Sequence, residues 1–243
     1  MSLNGFQFIN GLLSFLTVSL CFLVGLVMVI RYFQYKNKTL LFVGFAWMGI
    51  YQPWWPGTLA FLLNGLGFID GPLDPLAIYP LVGTMFIPVT ATAWFLGFTS
   101  MMFKKRRKLI VGFYAILTAV MDVVILILVM VDLGLVGEFQ VVNADYGLLL
   151  TVYYMFINVS VAIPCALMGR ESMKSELPEV RVRGHFLLAA ALCYFLGGLL
   201  DVGLIEAIPW FIFITRTILM AGSVLFYLGF LLPEPLEKLL SGE

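Results

Sequence analysis

Residues 193–232 read CYFLGGLLDVGLIEAIPWFIFITRTILMAGSVLFYLGFLL. Two apolar runs flank a short turn, Glu206-Ala207-Ile208-Pro209, and each run carries one charge: Asp201 in the first, Arg216 in the second. A hydrocarbon core of roughly 30 Å takes about 20 apolar residues to cross as a helix, so the stretch predicts a transmembrane hairpin. Charges at membrane depth are costly, and they face the protein interior or a cavity, usually with a partner. Two main readings stand for Asp201 and Arg216: an ion pair that closes the hairpin, or part of a ligand or ion site. A third has Arg216 snorkelling to the interface without Asp201.

The rest of the chain has the same character. Of 243 residues, 62% are hydrophobic and 12% charged, and the mean hydropathy is +1.03. Soluble domains carry about 25% charged residues, so the composition describes an integral membrane protein throughout. The formal net charge is zero, which gives no argument for nucleic acid as a partner. Cys21, Cys165 and Cys193 all sit in apolar runs; the expectation is small buried hydrophobes rather than a disulfide framework or zinc site. The N-terminal run has no basic residue before it and is too long for a cleaved signal peptide.

Seven segments are long and apolar enough to span: 6–30, 40–66, 78–103, 109–131, 146–168, 186–204 and 209–232. The expectation is an all-α, single-domain bundle of seven transmembrane helices. The first, third and fifth connections hold twelve of the fourteen Lys and Arg residues; the second, fourth and sixth hold none. The remaining two are Lys238 in the tail and Arg216. By the positive-inside rule this puts the N-terminus outside and the C-terminus inside a cell membrane crossed several times. The densest basic run, Lys104, Lys105, Arg106, Arg107 and Lys108, reads as an anchor on anionic lipid or a docking patch for a partner. Arg181 and Arg183 belong to the longest basic connection, 169–185.

Polar residues gather towards the outer ends. At about 1.5 Å per residue, Arg216 lies on the order of 10 Å below the outer end of its helix, Asp201 about one turn below, and Asp122 about 14 Å below. Tyr51, Gln52, Trp54 and Trp55 fall in the mid-to-outer part of the second span. Tyr153, Tyr154 and Asn158 fall in the corresponding part of the fifth, and Asn10, Ser14 and Thr17 in the outer half of the first. The inner halves are mostly aliphatic and aromatic. Asp122, Asp201, Arg216, Trp54, Trp55, Tyr51, Gln52, Tyr153, Tyr154 and Asn158 are therefore the expected lining of a ligand cavity open to the outer side. A neutral structural carboxyl also fits Asp122. Pro53 and Pro56 each remove a helix hydrogen bond, so a kink or break is expected there. The break either presents an aromatic wall to a ligand or bends the helix so that the Trp pair anchors at the interface.

Several functions are excluded by residue chemistry. A retinal Schiff base needs a lysine in the last helix, and 209–232 contains none. Seven-helix zinc hydrolases of the ceramidase and adiponectin-receptor type need several histidines, and His185 is alone, at the inner edge. A Ser-His-Asp arrangement fails on the same residue. The Pro-Gln motif of seven-helix sugar carriers is reversed in Gln52-Pro53, and no phosphate-binding glycine loop is present. No catalytic residue, metal ligand or cofactor is expected.

The run Gly44-Phe-Ala-Trp47, Tyr51-Gln-Pro-Trp-Trp-Pro-Gly57, Phe86-Ile-Pro88 and Trp94-Phe-Leu-Gly-Phe-Thr99 before the basic cluster resembles uncharacterised archaeal seven-helix membrane proteins. The layout is also similar to microbial-rhodopsin-like proteins and to the seven-helix sensor regions that precede histidine kinases. The polar outer half above an apolar, basic-rimmed inner half points to a receptor or sensor. With no output domain after Glu243, the implied partner is a separate cytoplasmic signalling protein, and the implied ligand is small and apolar or amphipathic. A proton-coupled carrier using Asp122 and Asp201, and a non-catalytic scaffold subunit, are the alternatives.

Overall fold

The computed structural model describes residues 3–73, 77–204 and 210–233. The turn at 206–209, the acidic position Asp74 and the tail with Lys238 lie outside the described residues. Nine α-helices are present among the described residues: α1 (Gly5–Tyr35), α2 (Lys38–Gly49), α3 (Trp55–Gly65), α4 (Ile78–Thr84), α5 (Ile87–Met101), α6 (Arg107–Val131), α7 (Leu148–Ser172), α8 (Pro178–Leu204) and α9 (Phe211–Phe230). Six helical stretches among these residues are long and apolar enough to cross a membrane: Gly5–Tyr35, Ile78–Met101, Lys104–Val131, Leu148–Ser172, Pro178–Asp201 and Phe211–Phe230. This is the pattern of a multi-pass, helical membrane protein.

The predicted second span, 40–66, is broken. α2 ends at Gly49, a 3-10 turn follows at Gln52–Trp54, and α3 starts at Trp55 with Pro56 in its first turn. Pro53 and Pro56 cannot donate a backbone hydrogen bond, and proline is tolerated where a helix begins. The expected kink is thus a full interruption, leaving neither α2 nor α3 long enough to span alone. The third predicted span is likewise interrupted, at Met85 and Phe86 just before Pro88.

Two connections carry regular structure of their own. The acidic loop 132–145 contains a 3-10 turn, Leu133–Leu135, and an antiparallel pair, β1 (Gly137–Phe139) with β2 (Ala144–Tyr146). Gly137 makes the pairing fit: its φ is 152°, and a Cβ there would lie 2.5 Å from the Asp145 carbonyl oxygen. The basic connection 169–185 is mostly helix. α7 continues to Ser172, and α8 begins at Pro178 with Glu179 in its first turn. Hydropathy marks the depth of the bilayer, whereas helix ends follow backbone propensity and caps, and proline at a first turn with an acidic neighbour favours an early start.

The chain forms two compact units, Met1–Tyr154 and Met155–Glu243. In the first, α1 packs on α2 and α3, α2 on α5, and α5 on α6. α1 starts with a reciprocal cap, Asn4 Oδ1 accepting from Gln7 N at 2.8 Å and Gln7 Oε1 accepting from Asn4 N at 3.0 Å. Its buried face, Asn10, Ser14, Thr17, Cys21, Val24 and Met28, recurs at helical spacing. Gly25 and Gly44 bring the α1 and α2 backbones together; a Cβ on Gly44 would sit 2.7 Å from the Gly25 carbonyl oxygen. In the second unit α8 lies along α9, and Gly169 of α7 faces Gly184 of α8 in the same backbone-to-backbone manner.

Candidate functional site

In the first unit the interrupted second span organises an aromatic and polar region. Tyr51 and Gln52 are fully buried and Trp54 nearly so. Rings run in succession from Trp94 to Trp47 (6.4 Å), Tyr51 (6.0 Å) and Trp54 (5.3 Å between centroids). The Cys21 thiol donates to the Trp47 carbonyl at 3.0 Å, tying α1 to the end of α2. Trp54 is therefore part of the protein interior, not an interfacial anchor. Trp55 turns its ring towards Phe86, 6.1 Å away.

Two tyrosine hydroxyls cover carbonyls that the broken helices release. Tyr146 donates to the Pro53 carbonyl at 3.2 Å, and Tyr154 to the Gly83 carbonyl at 3.3 Å, in the last turn of α4. A Cβ on Gly83 would lie 2.8 Å from the Tyr154 hydroxyl, so the missing side chain lets that hydroxyl approach. The rings of Tyr146 and Tyr154 are 5.0 Å apart, and those of Tyr153 and Tyr154 stack at 6.3 Å.

In the same unit several buried side-chain atoms have no protein partner. Both amide atoms of Gln52 lack a hydrogen bond, as do Trp55 Nε1, Thr58 Oγ1, Tyr153 Oη, Asp122 Oδ1 and, on α1, Asn10 Nδ2. Asp122 lies on the half-buried side of α6, in electrostatic reach of the Tyr153 and Tyr154 hydroxyls. Buried polar groups in native proteins are nearly always hydrogen-bonded, to protein or to ordered water. A fully buried primary amide left with one donor and one acceptor open is equipped to bind water or a polar ligand group.

In the second unit, Arg216 Nη1 donates to Asp201 Oδ1 at 2.5 Å, and Thr215 Oγ1 to the same oxygen at 3.3 Å. Arg216 is 4% exposed and Asp201 14%. The two expected charges thus meet as a hydrogen-bonded pair between α8 and α9. Asn158 is partnered on one side only: its Nδ2 donates to the Tyr194 carbonyl at 3.5 Å and packs on Gly198 of α8, while its buried Oδ1 has no hydrogen-bond partner. It joins α7 to α8. Asp122 belongs to the first unit and the Asp201–Arg216 pair to the second.

The basic residues of both connections are exposed or half-buried. Lys104, Lys105, Arg106 and Lys108 are exposed and Arg107 half-buried, around the 3-10 turn Lys104–Arg106 that joins α5 to α6. Arg181 is exposed and Arg183 half-buried in the first turns of α8. His185 Nδ1 contacts the Arg181 carbonyl at 2.8 Å. Among the described residues no group of three His, Cys, Asp or Glu side chains could hold a metal ion.

Sequence reasoning overlooked Thr58, Tyr146 and Gly83. Tyr146 sits at the boundary of a loop and a span, where an aromatic reads as an interface anchor. Gly83 carried no signal beyond its neighbourhood to Pro80 and Pro88. Comparison with protein-family models, with characterised proteins and with solved structures finds no match for this chain.

Proposed function

We propose that the protein is a receptor-like membrane sensor whose ligand binds in the first unit, beside the interruption at Tyr51–Trp55. Gln52 would read the ligand through its amide, Asp122 and Tyr153 would supply further polar contacts, and Trp54, Trp55, Tyr51 and Tyr154 would shape the apolar wall. The single observation that carries this reading is the fully buried Gln52 side chain, open at both amide atoms, within the helix break itself. Unwound backbone at membrane depth is tolerated where it lines a cavity or packs in protein, and pockets of this kind combine apolar walls with a few polar groups.

In this reading the chain crosses the membrane seven times, with α2 and α3 together making the second crossing, the N-terminus outside and the C-terminus inside. The asymmetry of basic residues supports that orientation. The basic turn at 104–108 and the first turns of α8, with Arg181 and Arg183, would then face a cytoplasmic partner. The Asp201–Arg216 pair, hydrogen-bonded within its hairpin, serves the structure of the second unit.

Tryptophan fluorescence of the purified protein, titrated with small amphipathic acids, amines and amides, tests the proposal. A saturable change that disappears in Gln52→Leu and Asp122→Asn supports it; no saturable change with any compound class sinks it. A carrier is the second reading, favoured by the open carboxylate oxygen of Asp122 inside a membrane helix. Uptake into proteoliposomes driven by a pH gradient, and lost in Asp122→Asn, would decide for transport.

A further inference from the structure

The first unit carries an apolar groove of about 590 Å3 between α2, α5 and α6. Small side chains keep it open: Thr92 and Ala93 on α5 and Ala115 on α6 line it where larger residues would fill the space. Phe45 and Val89, also in the lining, are 42% and 52% exposed, so the groove opens laterally. Protein interiors rarely hold voids larger than a water molecule, and an apolar opening of this size in a bilayer takes an apolar occupant.

The ends of the groove identify that occupant. Leu41, in the lining, is about one turn from Lys38 at the start of α2. Thr39 and Ser100 are hydrogen-bonded at 3.0 Å, which holds this end of α2 against the end of α5. Immediately beyond α5 come Lys104, Lys105 and Arg106, all exposed, and then Lys108 on α6. Neither 31–38 nor 104–108 contains an acidic residue. Pro88, at the far end of the lining, is about 24 Å from Lys104 by helical rise, and one leaflet contributes about 15 Å of hydrocarbon. On α5 the lining begins at Leu96, about 12 Å from Lys104 by the same rise, so an acyl chain whose headgroup rests on the basic turn enters the near part of the groove within its own leaflet. Clustered Lys and Arg beside a membrane helix attract anionic headgroups.

We propose that this groove is a binding site for one acyl chain of an anionic phospholipid, with the headgroup phosphate held by Lys38, Lys104 and Lys105. The second acyl chain stays in the surrounding bilayer. The site is separate from the Gln52 region, so it stands whether or not a ligand binds there.

Native mass spectrometry of the purified full-length chain, delipidated and then titrated with phosphatidylglycerol or phosphatidylcholine of identical acyl composition, tests the assignment. One phosphatidylglycerol is expected to be retained about tenfold more tightly than phosphatidylcholine. Thr92→Phe, which fills the groove, is expected to weaken phosphatidylglycerol about tenfold, with Ala115→Phe as the alternative if Thr92→Phe does not fold. The double variant Lys104→Gln/Lys105→Gln is expected to abolish the preference between the two lipids. Val123→Phe, on the exposed face of α6, is expected to change nothing. Equal retention of both lipids by the wild type overturns the proposal. So does unchanged phosphatidylglycerol binding in both groove-filling variants, or a polypeptide co-purifying in place of the lipid.

Discussion

Arg216 and Asp201, fifteen positions apart in sequence, share one hydrogen bond across the α8–α9 hairpin, and Thr215 reaches the same carboxylate oxygen. An ion pair withdrawn from water is not by itself a source of net stability, because desolvation offsets the attraction. Removing one partner is strongly destabilising, because it strands the other charge. Arg216→Leu or Asp201→Leu alone is therefore expected to lower stability by about 3 kcal/mol, while the double variant recovers most of the loss. Unfolding of the four proteins in the same detergent, read as a double-mutant cycle, checks this; equal and additive losses would show that the pair is not coupled.

Gln52 yields the opposite expectation. Its amide is fully buried with neither atom partnered, and an unsatisfied buried polar group costs about 1–3 kcal/mol. Gln52→Leu should raise the melting temperature of the ligand-free protein while removing the fluorescence response of the proposed site. A destabilised Gln52→Leu protein would mean that Gln52 is paired through ordered water and is structural.

Close helix contacts give a paired prediction on glycine. Gly184 lies so near Gly169 that a Cβ would approach the carbonyl oxygen of its partner to 2.7 Å, whereas a Cβ on Gly112 meets nothing within 4 Å. Gly184→Val should cost about 1–3 kcal/mol through overpacking, and Gly112→Ala should be neutral or stabilise by up to about 1 kcal/mol through helix propensity. Thermal unfolding of both variants is the measurement.

The orientation is open to direct labelling. Cys21 and Cys165 are buried and Cys193 half-buried; replacing all three by alanine gives a background for single reporter cysteines. A cysteine at Asn143, in the β-hairpin, should react with a membrane-impermeant maleimide in intact cells. A cysteine at Lys105 should react only after the membrane is opened. The reverse pattern would invert the proposed topology.

Much of the architecture is readable along the chain, because the bilayer imposes a local rule. Any stretch of about 20 apolar residues can satisfy its backbone only as a helix, and proline interrupts it at the residue where the donor is missing. The six long apolar helical stretches and the break beside Pro53 and Pro56 follow from that rule alone. The extension of α7 and α8 into the basic connection does not, since hydropathy reports depth in the membrane and says nothing of where helical hydrogen bonding stops.

The site has a different legibility. Composition and spacing assign Asp122, Tyr153, Tyr154, Gln52, Asp201 and Arg216 to their segments of the chain, because the apolar runs that hold them are read directly from the sequence. Which of them are already satisfied depends on rotation of each helix about its axis and on which neighbour lies opposite, and both are set by packing between residues far apart in sequence. Folding pairs Arg216 with Asp201, seats Asn158 on Gly198 and turns Tyr154 to the Gly83 carbonyl. The same packing leaves the Gln52 amide and the Asp122 carboxylate oxygen open. Two residues that look alike in the sequence, Gln52 and Asn158, part company here: Asn158 donates from its amide nitrogen to the Tyr194 carbonyl and leaves only Oδ1 open, whereas both amide atoms of Gln52 are open, because each helix meets a different neighbour.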